Sequence, residues 1–361
     1  VSHRLPVSRW NSHSSSLYSK SISIGDISTQ FKEAVLAKTK PGMEGPTKIL
    51  LDFLEEYAKS CQEANVNPQQ FEFLVGSFLK QMNSAIQDPQ EFELYHKATR
   101  EPFDFYTWGN DMFRPLIVMD QSRLLGAEYL TEIKQHIDNG DNVIILSNHQ
   151  TEPDPQVISI LFETVGEEYA KLAEEIVCVA GHRVTTDPMA VPFSLGRNLL
   201  TIYSKKHMAN PPEKKQEKQD RNMWTLKKAG NLLGDGSTLL WVAPSGGRDR
   251  PDPESGKFVV APLDPKSVQI FNLMAINAAK THDKKTHFYP LAMFTQALLP
   301  PPDKVQSSLG EPRIAKRGGV SIGFGPEIDA SQFPNRQALS TAVEDAIKVE
   351  YAKLQDFHDG F

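Results

Sequence analysis

The feature that most constrains this 361-residue chain is a series of short aliphatic runs separated by helix-sized gaps. They fall at 142–148, 175–181, 198–204, 237–245, 287–295 and 320–328. Runs of this length, rich in Val, Ile and Leu, suit strands buried on both faces. The gaps carry helical stripes. Tyr129, Ile133 and Ile137 recur at helical spacing and are closed by Gly140. Asp264-Pro265 offers an N-cap and first helical position ahead of Val268, Phe271, Ala275 and Ala278. Leu339, Val343, Ile347 and Leu354 mark a long last helix. Alternating strands and helices predict an α/β domain over 101–361, a mostly parallel sheet covered by helices on both faces. Ligands of such sheets gather beyond the carboxyl ends of the strands.

A different pattern precedes it. Ile49, Leu50, Phe53, Leu54 and Tyr57 share one helical face, and Phe71, Leu74, Phe78 and Met82 share another. Residues 27–100 are therefore expected to form a small N-terminal helical bundle domain. Residues 1–26 form a Ser-rich basic terminus; the first 25 hold nine Ser, two Arg and one Lys, and no Asp or Glu. That composition suits a transit-peptide remnant, with a merely disordered terminus as the alternative.

Composition excludes several classes. A net charge of −6 argues against a dedicated nucleic-acid binder. Every apolar run falls well short of the roughly 18 residues that span a bilayer, so a soluble protein is expected. Two cysteines, Cys61 and Cys178, supply neither a disulfide framework nor a metal-ligand cluster. Cys178 lies in an apolar run and reads as core.

Three places carry candidate chemistry. In Ser147-Asn148-His149-Gln150-Thr151-Glu152-Pro153-Asp154-Pro155, a His precedes an Asp by five residues. Such a pair shares no face in a helix or strand, so the two meet only across a turn. A strand ending near Ser147, with Asp154-Pro155 opening a helix, supplies that turn. Asp154 could then fix one ring nitrogen of His149 and leave the other free as a general base. Spacing alone is weak, because His136/Asp141 and His182/Asp187 repeat it. The first straddles a helix end at Gly140 and reads as accidental. The second follows a strand and ends in Asp-Pro, so local context keeps it open.

The second place is Ser245-Gly246-Gly247-Arg248-Asp249-Arg250, beyond an aliphatic run. In extended backbone Arg248 and Arg250 point one way and Asp249 the other, and paired guanidinium forks suit a phosphate. The bland alternative is a polar loop whose arginines pair with Asp249 and Asp252. The third is Lys205-Lys206-His207, within a stretch from 201 to 230 holding seven Lys and one Arg against three acidic residues. It could close on the same anion or be a solvated face.

These residues, in order, resemble the soluble plastid glycerol-3-phosphate acyltransferases, of the glycerolipid acyltransferase family with the His-x4-Asp motif. The likeness runs through Arg100-Glu101-Pro102-Phe103-Asp104, 147–155, 196–208, 243–253 and Tyr289-Pro290-Leu291. It implies catalysis by His149 and Asp154, and glycerol-phosphate binding by Lys206, His207, Arg248 and Arg250. It further implies transfer from acyl carrier protein or a coenzyme A thioester to the 1-hydroxyl of glycerol-3-phosphate. No metal or organic cofactor is implied, and the location implied is the chloroplast stroma. Two positions depart from the family pattern: His182, where Asp is usual, and Pro153, where a smaller residue is usual. A serine hydrolase using Ser245 is a weak rival, because Pro-Ser-Gly-Gly lacks the Gly-x-Ser-x-Gly elbow. A non-catalytic phosphate- or phospholipid-binding module is the rival from another class.

Overall fold

The computed structural model describes residues 22–204, 208–302 and 311–360. Helices α1 (Ile24–Ala37), α2 (Glu44–Glu63) and α3 (Pro68–Gln87) lead. Strand β1 (Tyr95–His96), α4 (Phe105–Phe113), β2 (Arg123–Leu125), α5 (Ala127–Asp138), β3 (Asn142–Ser147), α6 (Asp154–Val165) and α7 (Glu167–Glu175) follow. Then come β4 (Val177–Gly181), α8 (Val191–Leu195), β5 (Asn198–Ile202), α9 (Lys215–Asp235) and β6 (Leu239–Val242). A small hairpin of β7 (Arg250–Pro251) and β8 (Phe258–Val259) precedes α10 (Pro265–His282). The chain closes with β9 (Thr286–Phe294), β10 (Ser321–Phe324) and α11 (Arg336–His358).

Eight strands form one sheet in the order β1-β5-β4-β6-β3-β9-β10-β2. The middle five, β5 to β9 in that order, are mutually parallel. Their aliphatic side chains serve two cores by strict alternation. Val143 and Ile145 of β3 enter the core beneath α1–α8, while Ile144 and Leu146 enter the one beneath α9–α11. Both faces are thus buried, which is why these strands read as continuous apolar runs. The predicted mostly parallel sheet with helices on both faces is the fold observed. β10 runs antiparallel to β9. Among the described residues no helix lies in that connection, and parallel neighbours need a crossover.

Two sequence boundaries shift. Ser23 closes a capping box on α1 with Asp26, and Ile24 is buried. Folded chain therefore begins inside the 1–26 stretch. At the other end β1 joins the sheet within the predicted bundle; two residues are too few to show a period. The helical region also shares its core with the sheet. Phe193 stacks on Trp108 at 5.0 Å and meets Phe78 at 5.9 Å, and Tyr57 Oη donates to the Met112 carbonyl at 2.9 Å. No helix among the described residues is long and apolar enough to cross a membrane.

Candidate active site

The turn at 148–153 follows β3 at the sheet's carboxyl end, with Asp154 opening α6. Asp154 takes the first helical position, with Pro153 as the cap residue, and its carboxylate turns back to His149 as expected of it. One oxygen accepts from His149 Nδ1 at 2.8 Å and from the Gln150 amide at 2.8 Å. The other accepts from the Thr295 hydroxyl. The carboxylate is fully buried, whereas the His149 ring is a quarter exposed. A buried acceptor on Nδ1 sets the tautomer, while Nε2 has no hydrogen-bond partner among the described residues. Trp241 presents its ring at 82° to the imidazole, centroids 5.9 Å apart, which limits rotation of the ring.

The loop is pinned by residues that no local pattern reveals. Asn148 exchanges hydrogen bonds with the Met293 backbone, and Gln150 accepts from the Thr295 amide. Both donate to the buried carboxylate of Asp249, at 2.7 and 3.3 Å. Burial pushes that carboxyl up to about 6. The Asp249 amide in turn donates to the His149 carbonyl at 2.6 Å. The base loop and the arginine loop are therefore one unit.

The Asp249 carboxylate accepts from Asn148, Gln150 and the Ala261 amide rather than from either arginine. Gly246 takes φ +69°, and the turn it permits sets the start of the segment. The guanidinium of Arg250 lies against the carbonyls of Arg248 and Asp249, with its Nε unpartnered among the described residues. Burial, then Arg248, lower its pKa. Arg248 is engaged differently from the bland alternative. It pairs with Glu311, lies 3.8 Å from Glu152, and leaves Asp252 to bond its own turn. Arg313 grips Glu152 with two nitrogens and Asp187 with one. Burial would raise the Glu152 carboxyl, but Arg313 and then Arg248 hold it below its ordinary value.

The decoy pairs resolve. Asp187 is spent on Arg313 and on the Met189 amide, and His182 lies against Tyr203 at 4.1 Å. Burial, then Arg221 and Lys218, push the His182 imidazole down to about 4. The end of β4 thus sits in a positive field. His136 stacks on His287 at the opposite end of the sheet. Ser245 donates to the Gly247 carbonyl and meets no imidazole among the described residues, contrary to a serine hydrolase. Lys206 and His207 lie outside the described residues. The strand that precedes them in sequence, β5, is separated from β6 only by β4, about 10 Å away. Cys178 and Cys61 are buried, each thiol pushed up to about 12 by burial, so neither is a nucleophile.

The Acyltransferase family model matches residues 128–294, which span α5 to β9 and hold both loops. A chloroplastic glycerol-3-phosphate acyltransferase of Cucurbita moschata is 36% identical over 90% of this chain and 70% of its own length. Its counterpart in Pisum sativum is 34% identical over 91% and 72%, and that of Arabidopsis thaliana 39% over 74% and 59%. Among solved structures, the 1-acyl-sn-glycerophosphate acyltransferase of Thermotoga maritima aligns with a TM-score of 0.41 and 16% identity. That alignment covers 70% of this chain and 78% of the other. On the sequence relatives, the chain belongs to the family of chloroplastic glycerol-3-phosphate acyltransferases.

Proposed function

We propose that this chain transfers a fatty acyl group from an acyl thioester to the 1-hydroxyl of sn-glycerol-3-phosphate, giving 1-acylglycerol-3-phosphate. The observation that carries the reading is the His149–Asp154 contact at 2.8 Å, with the carboxylate buried and the imidazole reaching solvent. Nε2 takes the hydroxyl proton as the oxygen attacks the thioester carbonyl. The tetrahedral adduct then expels the thiolate, which recovers that proton from His149. No electrons change hands. General-base help of this kind is worth about 10²–10⁴-fold.

Arg250 and Arg248 hold the acceptor phosphate, with Lys206 and His207 closing from the β5 side. Arg248 is already paired with Glu311, so the phosphate competes with that carboxylate for it. Arg250 bonds directly to backbone carbonyls, with Glu311 and Asp249 acting on it only at longer range, and is the stronger anchor. The donor is acyl carrier protein or coenzyme A thioester, and the chemistry calls on no cofactor. The protein works soluble in the plastid stroma, with a transit remnant ahead of Ser23. Supplying labelled glycerol-3-phosphate with each thioester in turn, and extracting the lipid product, tests the reading. Ester formed with at least one donor is expected. Saturable acceptor binding without product from either would return the chain to a binding module.

A further inference from the structure

At the amino-terminal end of the sheet, opposite His149, four chain segments bring ligating groups together. His136 lies in the last turn of α5, and Asp141 immediately precedes β3. His287 is the second residue of β9, and Glu327 follows β10. The ligand atoms of His136, Asp141 and His287 all lie within 4.8 Å of one another. From this geometry we propose that His136, Asp141 and His287 form a structural divalent-metal site, best suited to Zn²⁺.

Two observations argue for it. Two ligands about 2.0–2.1 Å from a tetrahedral Zn²⁺ stand about 3.3 Å apart. His287 Nε2 lies 3.3 Å from Asp141 Oδ2. The other nitrogen, Nδ1, contacts Glu327 Oε1 at 2.7 Å. A carboxylate on the far nitrogen is the support that orients metal-bound histidines and raises their basicity. A bound ion would take the place of the direct contact between Nε2 and Asp141. The rings of His136 and His287 stack at 3.5 Å and 15°. Face-to-face rings aim their nitrogens past a common point, so His136 tilts on binding. A bound ion would tie α5, β3 and β9 together, far from the chemistry.

The test uses the full chain, stripped with a chelator and titrated with Zn²⁺ against a chromophoric chelator. Visible absorption of the Co²⁺ form reports the geometry. Zn²⁺ should bind one per chain at this site and raise Tm, while acyl-transfer rates stay the same with and without it. His136→Ala and Asp141→Asn should each weaken binding at least tenfold and abolish the Tm rise, and His149→Ala should leave binding intact. Both variants keep the His287–Glu327 contact and are expected to fold. If one does not, the other decides. Absence of Zn²⁺ binding at micromolar concentrations would overturn the site. So would undiminished binding in both variants, or binding lost only in His149→Ala.

Discussion

Two segments of this chain have the same local plan and opposite outcomes. Each begins with a histidine at the end of a parallel strand, and each reaches Asp-Pro five residues later. In the first, the aspartate turns back to its histidine at 2.8 Å and is shut away from water. In the second, the aspartate pairs with Arg313 and the histidine rests on Tyr203 instead. The difference arises from distant partners. Thr295 and the Gln150 amide hold Asp154 toward His149, whereas Arg313 draws Asp187 away from His182. A spacing motif names candidates; tertiary hydrogen bonds choose among them.

The comparison breaks most readily at the histidines. His149→Ala should lower kcat by about 10²–10⁴-fold, with glycerol-3-phosphate still binding, while His182→Ala stays near the wild-type rate. Steady-state kinetics giving the reverse order would show that the second segment is the catalytic one. The aspartates should separate by type of damage. Asp154→Asn should cost most of the same rate, because an amide cannot stabilise the imidazolium. Asp187→Asn should instead lower stability by about 1.5–3 kcal/mol, the worth of a hydrogen bond to a charged group. Denaturation and turnover measured side by side would expose any mixing of the two roles.

Substitution in the arginine loop sharpens the contrast, since this loop bonds the first histidine's backbone. Arg250→Ala should raise the acceptor KM about tenfold or more, with little change in the donor KM. Arg248→Ala should do less, because Glu311 already occupies it. Equal use of glycerol and its phosphate by the wild type would remove the phosphate from this loop. The smallest effect is one of pH. His182 titrates near 4 in the folded state against an ordinary 6.5. Between those values the unfolded chain binds more protons, so this group's stabilisation is lost as pH falls from 6.5 toward 4. His182→Phe should flatten that part of the stability profile. An unchanged difference between the two proteins across this window would place the ring in solvent.

The sheet was legible because its strands are buried on both faces, so six aliphatic runs announced six strands. Strands of two or three residues, such as β1 and β2, carry no period and went unseen. The helix stripe of α10 was read residue for residue, since Val268, Phe271, Ala275 and Ala278 are all buried. At the site, spacing offered more than one His/Asp pair and the resemblance picked His149 with Asp154; the structure joins these two and ties the arginine loop to their backbone. Sequence did not supply Thr295, Asn148, Arg313 or the buried Asp249 as a support. Their partners lie about a hundred or more residues away, and single polar residues in the loops beyond strand ends leave no pattern.

The contact between Phe78 and Phe193 bears on how the protein is born. Phe78 of α3 is covered by Phe193, which the ribosome adds more than a hundred residues later. At about 5–20 residues per second, that interval lasts roughly 6 to 23 seconds. During it Phe78 lacks this partner, and until residue 108 is made the Leu74 carbonyl lacks the Trp108 indole that donates to it. The first helices made are therefore among the last to be finished. A nascent chain stalled before residue 193 should be a client for whatever shields apolar surface during synthesis.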